Sequence, residues 1–241
     1  MKLTVAIITK SEEINKLVLQ SVNFADEIVV VVDQKEKKSK SKGKLRFYYH
    51  PLDNNFAEQR NFALQKANND WVLFIDDDEY VSTELSREIK LLDTNKEIQG
   101  FMIPRIDVCF HQPLLHGETG NTKLLRLAKK SSGKFERSVH ESWKVKGGVG
   151  ELTSPLFHNK DNFISGFIDR MIQYSEIDSN ILTKENKPFT LWRIFINPKG
   201  KFIQNYILKA GFLDGTVGLF QAFLMSVQSL TVRVFQWTKR N

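Results

Sequence analysis

The chain of 241 residues has a single cysteine, Cys109, so no disulfide can form within it, and the composition fits a reducing, cytoplasmic compartment. It has no uncharged apolar run of the about 18–20 residues that a membrane-crossing helix needs. The opening "MKLTVAIITK" is apolar over too short a stretch for a signal-peptide core and reads as a first strand. Zinc-finger, helix-turn-helix and aromatic-plus-basic RNA-binding patterns are missing, which argues against nucleic acid as the partner of a chain whose net charge is +7. That charge suits phosphorylated small molecules or an acidic membrane surface instead. There is no internal repeat, and the only biased segment is "KEKKSKSKGK" (35–44), read as a solvated loop.

What is present is an alternation of strand and helix patterns. "LTVAIIT" (3–9), "EIVVVVD" (27–33) and "WVLFI" (71–75) are continuous apolar runs, as expected of strands buried on both faces. Between them "SEEINKLVLQSV" (11–22) reads as a helix, with Thr9 and Glu12 at capping-box spacing or Ser11 as the cap. A short strand "LRFYYH" (45–50) comes next. "NNFAEQRNFALQKA" (54–67) then reads as a helix capped by Asn54 or Asn55, with Phe56, Ala63 and Ala67 facing in. This order predicts an α/β, Rossmann-like, mostly parallel sheet with flanking helices. Residues 99–158 read as a small mixed β region of short strands, and "NFISGFIDRMIQYSEIDSNIL" (162–182) as a helix. The expected organisation is a catalytic domain over 1–160, with nucleotide binding in 1–98 and an acceptor side in 99–160, followed by a helical extension over 161–241.

The apolar run 71–75 ends in "DDDE", a cluster of like charges that costs energy to desolvate. Sheets of this kind bind ligands beyond the carboxyl ends of their strands, and Asp33 and Asp76–Glu79 both fall there. Crowded carboxylates need a compensating cation or must take up protons. Oxygen ligands without nearby cysteine suit Mg²⁺ or Mn²⁺, which in turn suits a diphosphate ligand. The plainer reading is a polar turn in which Asp78 or Ser82 caps the helix "TELSREIKLL". An aspartyl-phosphate phosphatase and a receiver domain both fit poorly: Tyr80 stands where the former wants Thr or Val, and the latter's acidic pair after the first strand is missing. A sugar-phosphate nucleotidyltransferase would want a glycine-rich loop after the first strand, and "TKSEEINK" has none. A non-catalytic membrane-associated protein would have no need of Arg60, Asp76 and Asp78 together.

Taken together, "VAIITKSEEINKLVLQSVNFADEIVVVVD", "HPLDNNFAEQRNFALQKANNDWVLFIDDDE", "ERSVHE" and "YILKAGFLDGTVGLFQAF" resemble glycosyltransferase family 2, with the GT-A fold, and in particular the small bacterial hexosyltransferases of the lipopolysaccharide inner core. The resemblance implies inverting transfer of a hexose, glucose the expected one, from a UDP-sugar to a cell-envelope glycan or glycolipid, with a divalent metal. It places Thr9, Glu12 and Asp33 around the nucleotide and Arg60 at the diphosphate. Asp76 would serve as ribose or second-shell partner, and Asp78 as metal ligand with His158 completing the site. Glu141 is the expected base, His140 its neighbour or substitute, and Asp107 and Glu118 are fallbacks. The lysine-rich segment after Asp33 departs from the family's usual small-residue turn.

The C-terminal third combines apolar and basic character. Phe212, Leu219, Phe220, Phe223, Val227, Leu230 and Val234 are expected on one face, and Asp214, Gln221, Gln228 and Arg233 interrupt any crossing run. With Trp192, Trp237 and nearby lysines, this predicts peripheral contact with the inner face of the cytoplasmic membrane. A helix packed on the enzyme's own core or in a dimer would show the same pattern.

Overall fold

The computed structural model describes residues 1–35, 37–93, 97–120, 122–137, 141–160, 162–187 and 189–239. The chain divides into two compact units: residues 1–105 with 122–158, and residues 106–121 with 159–241.

In the first unit the Val/Ile-rich runs form β1 (Leu3–Thr9) and β2 (Glu27–Val32), with α1 (Lys16–Ser21) between them. β3 (Lys40–Lys42) and β4 (Leu45–Tyr49) follow, then α2 (Phe56–Lys66), β5 (Trp71–Asp76), β6 (Glu79–Val81) and α3 (Thr83–Lys90). β7 (Ile98–Cys109) begins in this unit and ends in the second, where β8 (Gln112–Pro113) pairs with its end. β9 (Thr122–Lys129), the hairpin β10 (Gly133–Glu136) and β11 (Ser142–Val145), β12 (Gly148–Glu151) and β13 (Leu156–Asn159) complete it. The sheet runs β3-β4-β2-β1-β5-β9-β7-β13-β6, with β12 beside β7. Its centre, β4-β2-β1-β5, is parallel, and β3 and β9 extend it antiparallel on either side.

The central strands are buried on both faces, so alternate residues supply two cores. Val5 and Ile7 face one way and pack with Val18 and Val22 beside α1 and with Leu85 and Ile89 of α3. Ala6, Val29 and Phe74 face the other way, with Ala63 and Leu64 of α2 and Phe135 and Trp143 of the β10–β11 hairpin. This is the α/β architecture expected from the sequence, helices on both faces of a sheet with a parallel centre.

Several local expectations are corrected. The first helix starts at Lys16, not near residue 11, because Asn15 accepts from the Leu17 amide and caps it; Thr9 instead exchanges hydrogen bonds with Ser11. Asn55 caps α2, but Phe56 is largely exposed, since α2 buries small residues against the sheet. The lysine-rich segment is not all loop: residues 40–42 pair with β4. "GFMIPRIDVCF" forms one long strand despite Pro104, with a register shift between Phe101 and Met102 where it pairs with β9.

The second unit is helical: α4 (Phe163–Lys184), α5 (Arg193–Ile203) and α6 (Gly215–Thr238), with α6 packed on both other helices. "GFLDG" is the turn that launches α6. A side chain at Gly218 would collide with the Gly211 carbonyl, so glycine permits that close approach. Asp214 accepts from the His116 backbone amide at 2.9 Å and pairs with His116 Nδ1 at 2.7 Å. Residues 211–238 are long and apolar enough to cross a membrane by length and composition. That corrects the expectation that their polar interruptions rule a crossing helix out on those grounds.

Candidate active site

Three adjacent parallel strands end together at one edge of the sheet. Thr9 is in register with Val32, the Asp33 amide donates to the Thr9 carbonyl at 2.8 Å, and Asp76 lies opposite Ile8. The acidic cluster therefore occupies the carboxyl edge, where such sheets meet ligands.

Much of its charge is matched by arginines. Asp76 Oδ1 accepts from Arg60 Nη2 at 2.8 Å, and Oδ2 from Arg126 Nη2 at 2.7 Å. Burial alone would raise the Asp76 pKa, but Arg126 and Arg60 outweigh it and hold the carboxyl below its ordinary range. Glu79 is fully buried. Its Oε1 accepts from Arg126 at 2.9 Å, its Oε2 from the Asp76 amide at 3.0 Å, and Arg105 lies 3.5 Å away. Burial, with the Asp76 charge adding to it, pushes the Glu79 pKa up. Arg126 in turn is held more firmly protonated by these two carboxylates than burial alone would allow. The compensating cation expected from sequence as a metal is thus, for Asp76 and Glu79, a set of guanidinium groups.

Asp78 stands apart. It is exposed in the two-residue turn between β5 and β6, and its Oδ2 lies 3.2 Å from His158 Nε2. β13 pairs antiparallel with β6, placing His158 opposite Glu79. Ser82 caps α3 through the Leu85 amide, so Asp78 has no capping duty. Two ligands about 2.1 Å from one octahedral ion, at right angles, lie about 3.0 Å apart. The 3.2 Å contact is that of a hydrogen bond or ion pair, and the same spacing is compatible with two ligands of one ion. Among the described residues no group of three or more His, Cys, Asp or Glu could hold a metal ion, so a protein-only cage is not what these residues offer.

Arg60 is the hub of the site. Only 6% exposed, it lies 5.6 Å from the Phe74 and Phe135 ring centroids. Phe135 stacks on Trp143 across the β10–β11 hairpin, at 4.9 Å, and both rings pack edge-on against Phe74. While Nη2 holds Asp76, Nε donates to Glu141 Oε1 at 2.9 Å, and the buried Nη1 has no hydrogen-bond partner among the described residues. One guanidinium therefore joins the strand-end aspartate to the glutamate carried at the hairpin tip. His140 lies outside the described residues.

The other candidates are placed as follows. Glu12 pairs with Lys40 at 2.9 Å and accepts from Tyr49 at 3.0 Å, and the Lys40 hydrogen bond leads the lowering of its pKa. Asp33 Oδ1 accepts from the Leu52 amide at 2.8 Å. Among the described residues no hydrogen bond or ion pair joins Thr9, Glu12 or Asp33 to the Asp76 network. Asp107 is buried against Lys160 at 2.5 Å, and Glu118 pairs with Lys201 at 2.6 Å, both within the second unit. Sequence reasoning missed Arg126 and Arg105, and it placed Glu79 in the acidic cluster without a role of its own. A signal existed for Arg126, a lone arginine inside the apolar strand run "LLRLA".

A sheet with a parallel centre and an acidic turn at its carboxyl edge places the chain among the α/β proteins that meet ligands at that edge. The model of "Glycosyl transferase family 2" matches residues 10–143, more than half of the chain, and the chain belongs to that family and is a glycosyltransferase. It is similar to the lipopolysaccharide core biosynthesis glycosyltransferase LpsC of Rhizobium meliloti, 26% identical over 196 residues, covering 76% of this chain and 72% of that one. It is also similar to an uncharacterised glycosyltransferase of Rickettsia typhi, 25% identical and covering 92% of this chain and 85% of that one. Among solved structures, the mannosyltransferase PcManGT of Pyrobaculum calidifontis, in complex with GDP-Man and Mn²⁺, is 12% identical with a TM-score of 0.48, covering 99% of this chain and 88% of that one.

Proposed function

We propose that this glycosyltransferase moves a hexose, glucose first among candidates, from a UDP-sugar to a cell-envelope glycan or glycolipid acceptor of the lipopolysaccharide-core kind, with inversion, on the inner face of the cytoplasmic membrane. The observation that carries the reading is Arg60 joining Asp76 to Glu141 beside the exposed Asp78–His158 pair. The similarity to LpsC supports the acceptor class.

Thr9, Glu12 and Asp33, at the ends of β1 and β2, border the nucleoside. Asp76 is kept ionised by two guanidinium groups, so it accepts a ribose hydroxyl without titrating. Asp78 and His158 would hold Mg²⁺ or Mn²⁺, which when bound neutralises charge on the departing diphosphate. Arg60 Nη1 is the donor left for a diphosphate oxygen. Glu141 Oε1 is fixed by Arg60, and Oε2 takes the proton of the acceptor hydroxyl as that oxygen attacks the anomeric carbon in line with the leaving group. His140 is assigned to the acceptor side.

The test is UDP release from a panel of UDP-sugars with and without EDTA, together with calorimetric UDP binding. Asp78→Asn should lose metal-dependent UDP binding with its fold intact. Glu141→Gln should keep that binding and lose about 10²–10⁴-fold in transfer rate. Equal UDP affinity with and without EDTA sinks the metal assignment. A Glu141→Gln rate within a few-fold of the parent's sinks the base assignment.

A further inference from the structure

The helical unit has a small apolar core, Cys109, Leu114, Phe163 and Val217, and much of the rest of its interior is polar. Its buried residues include Ser175, Ser179, Asn205, Gln221 and Gln236. The Gln221 carbonyl oxygen and the Ser175 hydroxyl are buried without a hydrogen-bond partner among the described residues. Most of its large apolar side chains point away. On α6, Leu219, Phe220, Phe223 and Val234 recur at helical spacing and are exposed, with Trp237 continuing the face, while Val217, Gln221, Val232 and Gln236 form the inward side. Just before and within α5, Trp192, Phe195, Ile196 and Ile203 form a second outward apolar face. The turn between the helices exposes Phe212 and Leu213 as well. Only 28% of the apolar stretch of α6 is covered. Water-exposed apolar surface of this extent on a folded unit marks a docking site.

The charge pattern selects the occupant. From 187 to 239 the sequence has seven Lys or Arg and one acid, Asp214, whose carboxylate is already taken up by His116; three acids from outside this stretch also face it, Glu185 at Lys187, Glu118 at Lys201 and Lys209, and Glu176 at Lys239, and the balance stays positive. A second copy of the chain would bring the same positive charge to the same face and be repelled. An anionic lipid surface would be attracted, at about 1 kcal/mol per well-placed basic residue. Lysine stems can lie along apolar surface with their heads at phosphate depth. The α6 side bearing Gln221 and Gln236 is spent on the unit itself, with Gln236 bonded to the Lys187 carbonyl and Ser226 to the Pro198 carbonyl. We infer that the outward faces of α5 and α6, with the turn joining them, form a docking surface for an anionic bilayer, seated in its interface. This assignment uses no feature of the transfer site and stands or falls separately from it.

The four tryptophans make the test direct. Trp71 and Trp143 are buried in the sheet unit, whereas Trp192 and Trp237 are 55% and 54% exposed on the proposed surface. With the full chain and vesicles of phosphatidylglycerol and phosphatidylcholine, two results are expected. Brominated acyl chains should quench part of the tryptophan emission, and Trp192→Phe with Trp237→Phe should remove that quenching. Co-sedimentation should fall at least ten-fold on pure phosphatidylcholine and weaken with salt. Phe220→Ser with Phe223→Ser should lower binding at least ten-fold while UDP binding stays at the parent value. Unquenched emission, or equal binding to neutral and anionic vesicles, overturns the proposal. So does a stable dimer in sedimentation velocity that protects these faces and leaves vesicles unbound. Resistance to carbonate extraction would overturn the interfacial seating in favour of a crossing helix.

Discussion

The two units bury different things. The sheet unit hides valine, isoleucine and phenylalanine, and its largest buried charge cluster is the network of Arg60, Arg105 and Arg126 with Asp76, Glu79 and Glu141, with Glu27 beside Arg46 lying apart from it. The helical unit hides a small apolar cluster around Leu114, Phe163 and Val217 together with serine, asparagine and glutamine, and turns most of its phenylalanine, tryptophan and isoleucine outward. A buried ion network adds little net stability, because desolvation nearly cancels the attraction, but it makes one geometry hard to leave. That suits an edge that must hold carboxylates in fixed positions. Exposed apolar helices add little stability in water and gain it only against a second surface, which suits a unit that docks.

The sharpest way to break this contrast is to open the sheet unit's network. Arg126→Met removes the group that holds both Asp76 and Glu79 and leaves two carboxylates facing each other in a buried site. Removing one partner of a buried pair costs about 3–5 kcal/mol. Chemical unfolding at neutral pH should show a loss of that order, and UDP binding should fall with it as Asp76 loses its position. A loss below about 1 kcal/mol would mean that water already compensates the carboxylates. Arg126→Lys should recover part of the loss, since both contacts come from the single Nη2 and an ammonium can replace them only where its stem brings it to the same place.

The pH dependence gives a smaller effect with a definite sign. The Asp76 carboxyl titrates below its unfolded value of about 3.9, so its contribution is complete above that pH and is lost as pH falls towards the folded value. Glu79 is shifted the other way: its protonated form is favoured in the fold, and its contribution declines as pH rises through about 4.3 and beyond. From pH 5 to pH 3 the two act in opposite directions, so the Asp76 part is read as a difference: the gap in urea midpoint between wild type and Asp76→Asn should narrow as pH falls. The variant's acid limb should be shallower, although it starts from lower stability at pH 7. An equally steep acid limb in both would move the acid sensitivity to other carboxylates.

How far the sequence foretold this molecule depends on whether a feature is local. β1, β2 and β5 were legible because an unbroken Val/Ile run of strand length has few other meanings, and Asn55 and Ser82 were legible as caps because capping acts within three residues. Asp76 and Asp78 were legible as a motif. Which of them meets an arginine and which a histidine was not, since Arg126 is 50 residues from Asp76 and His158 is 80 from Asp78. Only the β5–β9 and β6–β13 pairings bring those contacts about. β7 was read as one of several short strands, yet its pairing with β9 carries it through Pro104 and Arg105. The outward face of α6 was legible in its spacing. The polar lining behind it was not, because a glutamine that interrupts an apolar face and one that faces the interior look alike in sequence.

The smallest expected effect tests the contrast from the other side. Truncating a buried aromatic such as Phe74 to Ala should cost the sheet unit about 3–5 kcal/mol, because its ring fills space among Phe135, Trp143 and the strands. Phe220 and Phe223 are as large, but they are 48% and 61% exposed and lie on the outward side of α6. Replacing both with Ser in water, without lipid, should shift stability by no more than about 0.5 kcal/mol each, the range of ordinary surface changes. Removing two exposed apolar rings from water acts in the favourable direction. The measurement is urea unfolding of the full chain followed by far-ultraviolet circular dichroism, which reports the helices directly. A loss of 2 kcal/mol or more would show that these rings fill a core, and the outward placement of this face of the helical unit would then be wrong.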